Sequence, residues 1–337
     1  MDIKKLVKPN VLKLKAYQAG EIPCKVKLDA NESPYGFRVN NVPTNKYPDP
    51  EAKELRKLFA RGLKVRAENV LHGNGSDELI YNLIMTFGGP VLYPTPTFSM
   101  YGIIAQALGE KFTGVSLDEN FDLDMNGMNK QMIKSKPKLI FLSSPNNPTG
   151  NSFSSERILQ IIQRSKGMVV IDEAYQQFSS RKSFIPLLNK HKNLVILRTL
   201  SKIGLAGIRT GFMIANNDII NEVNKVRLPF NLNSLSQKVA IDKLKKTREL
   251  KSRISKIISE RKRLFNEMSK MDGIRPFPSD ANFILFRVNN PDKIYRGLLK
   301  RGVLIRNMKA FAGGCLRVTV GTPAENNTFI KNLIQLL

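Results

Sequence analysis

The chain has 337 residues, too many for one simple core and too few for three ordinary domains, so one large and one smaller domain are expected. Its 42% hydrophobic and 24% charged residues exclude a disordered or fibrous chain. The 54 Lys plus Arg against 28 Asp plus Glu leave a formal net charge of +26, but the basic residues run through the whole sequence, which favours solvated surface over a specific nucleic-acid site.

Residues 1–50 are rich in Pro and Asn with weak periodicity and read as an arm lying across something else. Lys4, Lys5 and Lys8 lead into no apolar run of signal-peptide length, and no stretch approaches a membrane span, so a cytoplasmic chain is expected. From 51 the pattern becomes regular: a helix over 51–61, a short strand over 70–71, a glycine turn and a helix over 77–87. Apolar strand candidates recur at 91–93, 139–142, 168–171, 194–197 and 211–215. Helical stretches such as 155–165 separate most of them, as a parallel sheet requires.

The densest basic stretch, 243–263, is bracketed and threaded by Ile241, Leu244, Ile254, Ile257, Ile258 and Leu264 at helical spacing, which predicts one amphipathic helix with a basic outer face. No aromatic residue interleaves with its charges as a base-stacking surface would need. Strands over 282–288, 303–306 and 316–320 follow, with helices over 293–300 and 324–336. The expected division is an N-terminal arm (1–50), a large domain (51–240) and a small C-terminal α+β domain with its linking helix (241–337). Cys24 and Cys315 are too few and too far apart for a disulfide framework, and His72 and His191 have no second ligand at metal spacing, so no metal is expected.

Three strand ends carry the chemistry. Ser144-Pro145-Asn146-Asn147-Pro148-Thr149-Gly150 follows the strand at 139–142 and presents the Asn147 amide at the carboxyl end of a buried strand, where open α/β sheets bind ligands. Asp172-Glu173-Ala174-Tyr175 places a carboxylate at the next strand end. Thr199-Leu200-Ser201-Lys202, followed by Gly204, Gly207 and Arg209, places an amine at a third. A lysine at a strand end is usually a solvated charge; among hydroxyls within a sheet, desolvation and neighbouring cations lower its pKa towards nucleophilic use. The glycine turn at 73–76, opening into a helix, supplies free N–H groups at a positive dipole end and so suits an anion.

An amide, a carboxylate and an amine in that order resemble the fold-type I pyridoxal-phosphate (PLP)-dependent aminotransferases, and the likeness covers nearly the whole chain. Leu28-Asp29-Ala30-Asn31-Glu32-Ser33-Pro34-Tyr35-Gly36, Lys46-Tyr47-Pro48-Asp49-Pro50, Gly73-Asn74-Gly75-Ser76-Asp77-Glu78 and Cys315-Leu316-Arg317-Val318-Thr319-Val320-Gly321-Thr322 carry it further, towards the branch that acts on histidinol phosphate. The resemblance implies an α/β fold, with a large, mostly parallel sheet flanked by helices plus the small α+β domain. It implies that Lys202 holds PLP as a Schiff base and moves the substrate's proton, that Asp172 pairs with the ring nitrogen, and that Tyr175 and Asn147 bond the ring hydroxyl. Gly75, Ser76, Asp77, Thr199, Ser201 and Arg209 would hold the phosphate, joined by Tyr47 from the second subunit of a homodimer. Phe98 stands where the family usually has a ring-stacking Tyr, which keeps the stacking and loses a phenol. Arg209 follows Lys202 by seven residues, where some relatives have one more.

For the substrate, the resemblance assigns Arg317, Arg306 and Tyr17 to the distal anion, since an Arg fork binds two oxygens at once. The implied reaction joins histidinol phosphate and 2-oxoglutarate to give imidazole acetol phosphate and glutamate. An aromatic amino acid aminotransferase and a threonine-phosphate decarboxylase use similar motifs and stay open. A nucleic-acid-binding regulator on the same fold is a different class, and no DNA-reading module is evident in the sequence.

Overall fold

In the computed structural model, which describes residues 2–17, 24–39, 41–309 and 312–337, the chain begins with a 3-10 turn (Ile3–Leu6) followed by the short helix α1 (Pro9–Leu12). Ile3, Val7 and Val11 are buried against the body, so the first part of the arm is anchored by its own apolar residues. Further along, Val26, Leu28, Tyr35 and Phe37 are exposed, next to a small hairpin of β1 (Arg38–Val39) and β2 (Val42–Pro43). Helix α2 (Lys53–Leu63) begins two residues later than the periodicity suggests, because Ala52 sits in a left-handed conformation at φ 43°. It buries Leu55, Phe59 and Ala60 on one face, and Phe59 stacks on Phe212.

The large sheet has seven strands: β3 (Val70–Asn74), β4 (Val91–Thr95), β5 (Phe112–Ser116), β6 (Leu139–Ser143), β7 (Met168–Asp172), β8 (Leu194–Thr199) and β9 (Thr210–Ala215). Their order is β3-β9-β8-β7-β6-β4-β5, and only β9 runs against its neighbours. The loop from β8 to β9 holds only short turns of 3-10 helix, so no crossover returns the chain to the starting edge and the strand comes back antiparallel. Strands β6, β7 and β8 are buried at every residue, as expected where helices cover both faces. Their side chains alternate: Leu139 and Phe141 enter one core with α3 (Ser76–Phe87), α4 (Met100–Ala107) and α7 (Asn217–Asn224), while Ile140 and Leu142 enter the other with α2 and α6 (Ser155–Arg164). Each such apolar side chain contributes roughly 1.5–3 kcal/mol on burial.

Strand β5 and the helices α4 and α5 (Met125–Ser135) have no counterpart in the expected pattern. Strand β5 is the sheet edge and buries only Val115, so it presents no apolar run to read. The expected single helix over 243–263 is also corrected. The chain forms α8 (Ser234–Lys245) and α9 (Thr247–Met268), broken at Lys246, whose ψ of 52° leaves the helical range.

Beyond α9, β10 (Ile274–Pro276), β11 (Phe283–Val288), β12 (Arg306–Asn307) and β13 (Cys315–Thr319) form an antiparallel sheet in the order β10-β11-β13-β12. Helices α10 (Pro291–Lys300) and α11 (Pro323–Ile334) cover it, with Leu264, Leu298, Phe329 and Leu333 in the shared core. The strand expected at 303–306 reduces to Arg306–Asn307, because Val303 and Leu304 lie outside the ladder and Leu304 is exposed. Among the described residues no helix is long and apolar enough to cross a membrane, and Cys24 and Cys315 are free thiols.

Candidate active site

The parallel register brings Ser143 beside Asp172 and Asp172 beside Leu197, so the ends of β6, β7 and β8 open side by side. Each strand continues one or two residues beyond its apolar run, and those added residues are polar: Ser143, Asp172 and Thr199. A cavity of about 170 Å³ sits there. Of the residues expected to bind a cofactor, Ser76, Asp77, Phe98, Asn147, Asp172, Tyr175, Thr199, Ser201, Lys202 and Arg209 line it.

Asp172 is buried at the floor. Its Oδ2 accepts the Tyr101 hydroxyl at 2.8 Å and its Oδ1 accepts the Ala174 N–H at 3.1 Å. Burial pushes its pKa up to about 6, against the pull of those bonds and of Lys202. The adjacent Glu173 has a different partner set: Arg198 at 2.6 Å, the Ser183 hydroxyl and the Phe184 N–H. It ties down the loop after β7 and leaves Asp172 to the cavity. Lys202 is lowered from the ordinary lysine value, first by burial, and its Nζ lies 5.5 Å from the Tyr175 ring centroid. Burial lifts the Tyr175 phenol to about 12.

At the other end, α3 starts at Ser76 with Gly75 as its N-cap at φ 84° and ψ 166°, a backbone region closed to other residues. A Cβ there would meet Arg209 Nη2 at 2.5 Å. Arg209 also donates to Asp77 at 3.1 Å, and the Thr199 and Ser201 hydroxyls are 3.0 Å apart. Cation, hydroxyls and unpaired helix N–H groups converge as an anion site.

Arg317, on β13, donates to Asn147 Oδ1 and lies over the Phe283 ring at 5.0 Å. Arg306 is its cross-strand partner, and both line a more open cavity of about 630 Å³. Tyr17 and Tyr47 stand apart from the cofactor cavity: Tyr47 stacks on Phe230 at 4.6 Å and Tyr17 meets the same ring edge-on at 6.3 Å. The residue that sequence reasoning missed is Tyr101. It looks like a core aromatic of an apolar helix, and its spacing of three residues from Phe98 was the available signal. His72 is buried beside Arg227, held neutral by burial with its pKa lowered to about 3, and no cluster of metal-ligating side chains exists among the described residues.

Residues 10–333 match the family model described as aminotransferase class I and II. The chain belongs to this family. This aminotransferase is 45% identical to the histidinol-phosphate aminotransferase of Aquifex aeolicus, over 97% of both chains. The solved histidinol-phosphate aminotransferase of Clostridium acetobutylicum superposes with a TM-score of 0.81 at 28% identity, covering 86% of this chain and 90% of that one. The Sinorhizobium meliloti histidinol-phosphate aminotransferase, solved in complex with pyridoxal-5'-phosphate, gives 0.80 at 25% identity, covering 86% and 82%. The enzyme is a transaminase with the fold-type I architecture, and its cofactor is PLP.

The aminotransferase's cavity fits that cofactor on its own chemistry. A buried carboxylate faces one end, an anion cradle that only glycine at position 75 permits lies at the other, and an aromatic wall and a partly desolvated amine stand between them. A flat, phosphorylated ring with a basic nitrogen and an aldehyde calls for these groups.

Proposed function

We propose that the enzyme transfers the amino group of L-histidinol phosphate to 2-oxoglutarate, giving imidazole acetol phosphate and glutamate, a step of histidine biosynthesis. The observation that supports this reading is the contact of Arg317 with Asn147, which brings a guanidinium against an amide that lines the cavity. Histidinol phosphate has no α-carboxylate, so its phosphate must supply the anchoring charge, and a planar fork suits phosphate well.

Bound PLP supplies an electron sink for the pair released when the donor's α-carbon loses its proton. The chain's residues do the rest. Asp172 holds the ring nitrogen's charge, while Asn147 and Tyr175 orient the ring hydroxyl. Phe98 stacks on the ring face. Gly75, Ser76, Asp77, Thr199, Ser201 and Arg209 grip the phosphate. Lys202 would hold the cofactor and would take the proton from the donor's α-carbon; its lowered pKa favours the neutral amine that this requires. Arg317, Arg306 and Tyr17 bind the donor phosphate, and in the second half-reaction the arginines take the carboxylates of 2-oxoglutarate.

The working unit in this reading is a cytoplasmic homodimer in which Tyr47 completes the partner's phosphate site, with domains at 51–240 and 241–337 and an arm at 1–50. The exposed apolar arm supports it, since Val26, Leu28, Tyr35 and Phe37 gain cover against a second copy. The test compares kcat/KM for histidinol phosphate, phenylalanine, tyrosine and threonine phosphate on one preparation. Histidinol phosphate is expected to lead; preference for an aromatic amino acid, or carbon dioxide release from threonine phosphate without a keto acid, overturns the assignment.

A further inference from the structure

Tyr101 is completely buried on α4, below the cavity floor. Its ring stacks on Phe141 of β6 with centroids 4.8 Å apart and planes 11° apart, and meets Phe98 edge-on at 5.7 Å. Its hydroxyl donates to Asp172 Oδ2, while Ala174 N–H occupies Oδ1. A carboxylate with one fixed donor can still turn about its last side-chain bond. With donors on both oxygens its plane is set, and so are the lone pairs left to face the cavity.

We propose that Tyr101 is a positioning residue for transamination: its phenol fixes the Asp172 carboxylate against the cofactor's ring nitrogen, and its ring backs Phe98, so one side chain sets both the floor and the aromatic wall. The proposal rests on the reading of Asp172 as the partner of that nitrogen.

The electrostatics give the contact its consequence. Asp172 is pushed up by burial and by Asp77, and held down by Tyr101, Ala174 and Lys202. Deleting the phenol removes one of two fixed donors in a water-poor interior, so protonation of the carboxyl becomes easier, and a neutral carboxyl no longer stabilises a charged ring nitrogen. Tyr101 itself stays a donor throughout, because burial and the charges of Asp172 and Tyr175 hold its phenol well above the usual value, outweighing the opposing Ser143 hydroxyl.

Tyr101→Phe keeps the ring and deletes the hydroxyl. Full-length wild type and variant are reconstituted with PLP labelled with nitrogen-15, and the ring-nitrogen resonance is followed through pH. The nitrogen is expected to lose its proton about one unit lower in the variant, with PLP affinity weakened about tenfold, the loss expected for a hydrogen bond to a charged group. In an Asp172→Asn background the same change should do neither, since the effect passes through Asp172. An unchanged midpoint in Tyr101→Phe, or an equal shift in both backgrounds, overturns the proposal. If Asp172→Asn alone leaves the nitrogen's titration at its wild-type midpoint, the underlying reading of Asp172 fails instead, and the proposal with it.

Discussion

Arg317, on β13 of the small antiparallel sheet, donates a hydrogen bond to Oδ1 of Asn147, which follows β6 of the large sheet. The guanidinium lies over Phe283, whose ring in turn meets Tyr175 edge-on at 5.2 Å. The guanidinium is therefore braced by Asn147 directly and by Tyr175 through Phe283, and both Asn147 and Tyr175 line the cavity. With one N–H committed to Asn147, four donors of the fork are left for an anion.

Arg317→Ala should lower kcat/KM for histidinol phosphate by about one to two powers of ten, the worth of a charge-assisted bond of roughly 1.5–3 kcal/mol. PLP affinity should change little, because the proposed phosphate grip lies at Gly75 and Arg209. Arg317→Lys should recover only part of the loss, since an ammonium cannot hold two oxygens in one plane. Steady-state kinetics with a parallel cofactor titration checks both; equal losses in PLP affinity and kcat/KM would place Arg317 on the cofactor instead.

Gly75→Ala should weaken PLP binding by about tenfold or more and cost roughly 1–3 kcal/mol of stability, because the new side chain inherits a backbone conformation reserved for glycine. Its Cβ also drives Arg209 away from the cradle. Fluorescence titration of PLP and thermal melts report the two effects separately, and a variant that binds PLP as tightly as wild type would remove the cradle from the phosphate site.

The parts of the site that could be read from sequence share one property: Asn147, Asp172 and Lys202 each follow an apolar run long enough to mark a buried strand. The register that aligns them is a consequence of the parallel ladder, which the spacing of strands and helices already implied. Tyr101 left no such mark, because it sits in an apolar helix where an aromatic is ordinary packing, and its hydroxyl matters only once β7 brings Asp172 against it. Strand β5 was illegible for the opposite reason, having almost no buried side chain. The break at Lys246 was hidden because α8 and α9 both place apolar residues at helical intervals, and periodicity carries across a single non-helical residue. Tyr17 and Tyr47, thirty positions apart, share Phe230 by tertiary packing alone.

Mixing Tyr47→Phe protein with Lys202→Ala protein should yield more activity than the sum of the two alone. In the proposed dimer a heterodimer carries one site free of both changes, whereas each homodimer carries the same defect twice. Analytical ultracentrifugation at assay concentration is the companion measurement; a fully active species with the mass of one chain would end the shared-site reading.

The net charge of +26 predicts some affinity for polyanions, without sequence preference and lost steeply between low and physiological salt through counterion release. Binding of two unrelated duplexes across a salt series tests this. Selective binding that survives physiological salt would restore a nucleic-acid role.

Asp172→Asn should stabilise the cofactor-free fold above pH 6 while abolishing transamination. The carboxyl titrates at about 6 in the folded chain against an ordinary 3.8, so between those values the folded state keeps a proton that the unfolded chain has released. Stability contributed at this site therefore falls as pH rises through that window and stays reduced above it; below about pH 4 both states are protonated and the contribution vanishes. The penalty is on the order of 1–3 kcal/mol. Asn has no charge to bury and can still accept from Ala174 N–H and pair with the Tyr101 hydroxyl, so it escapes the penalty. Thermal melts of wild type and variant from pH 4 to pH 8 should coincide at the acid end and diverge through the window, with the variant higher. Curves that stay parallel across the range would mean that the carboxylate is as well solvated in the fold as in the open chain, and that its burial at the cavity floor costs the enzyme nothing.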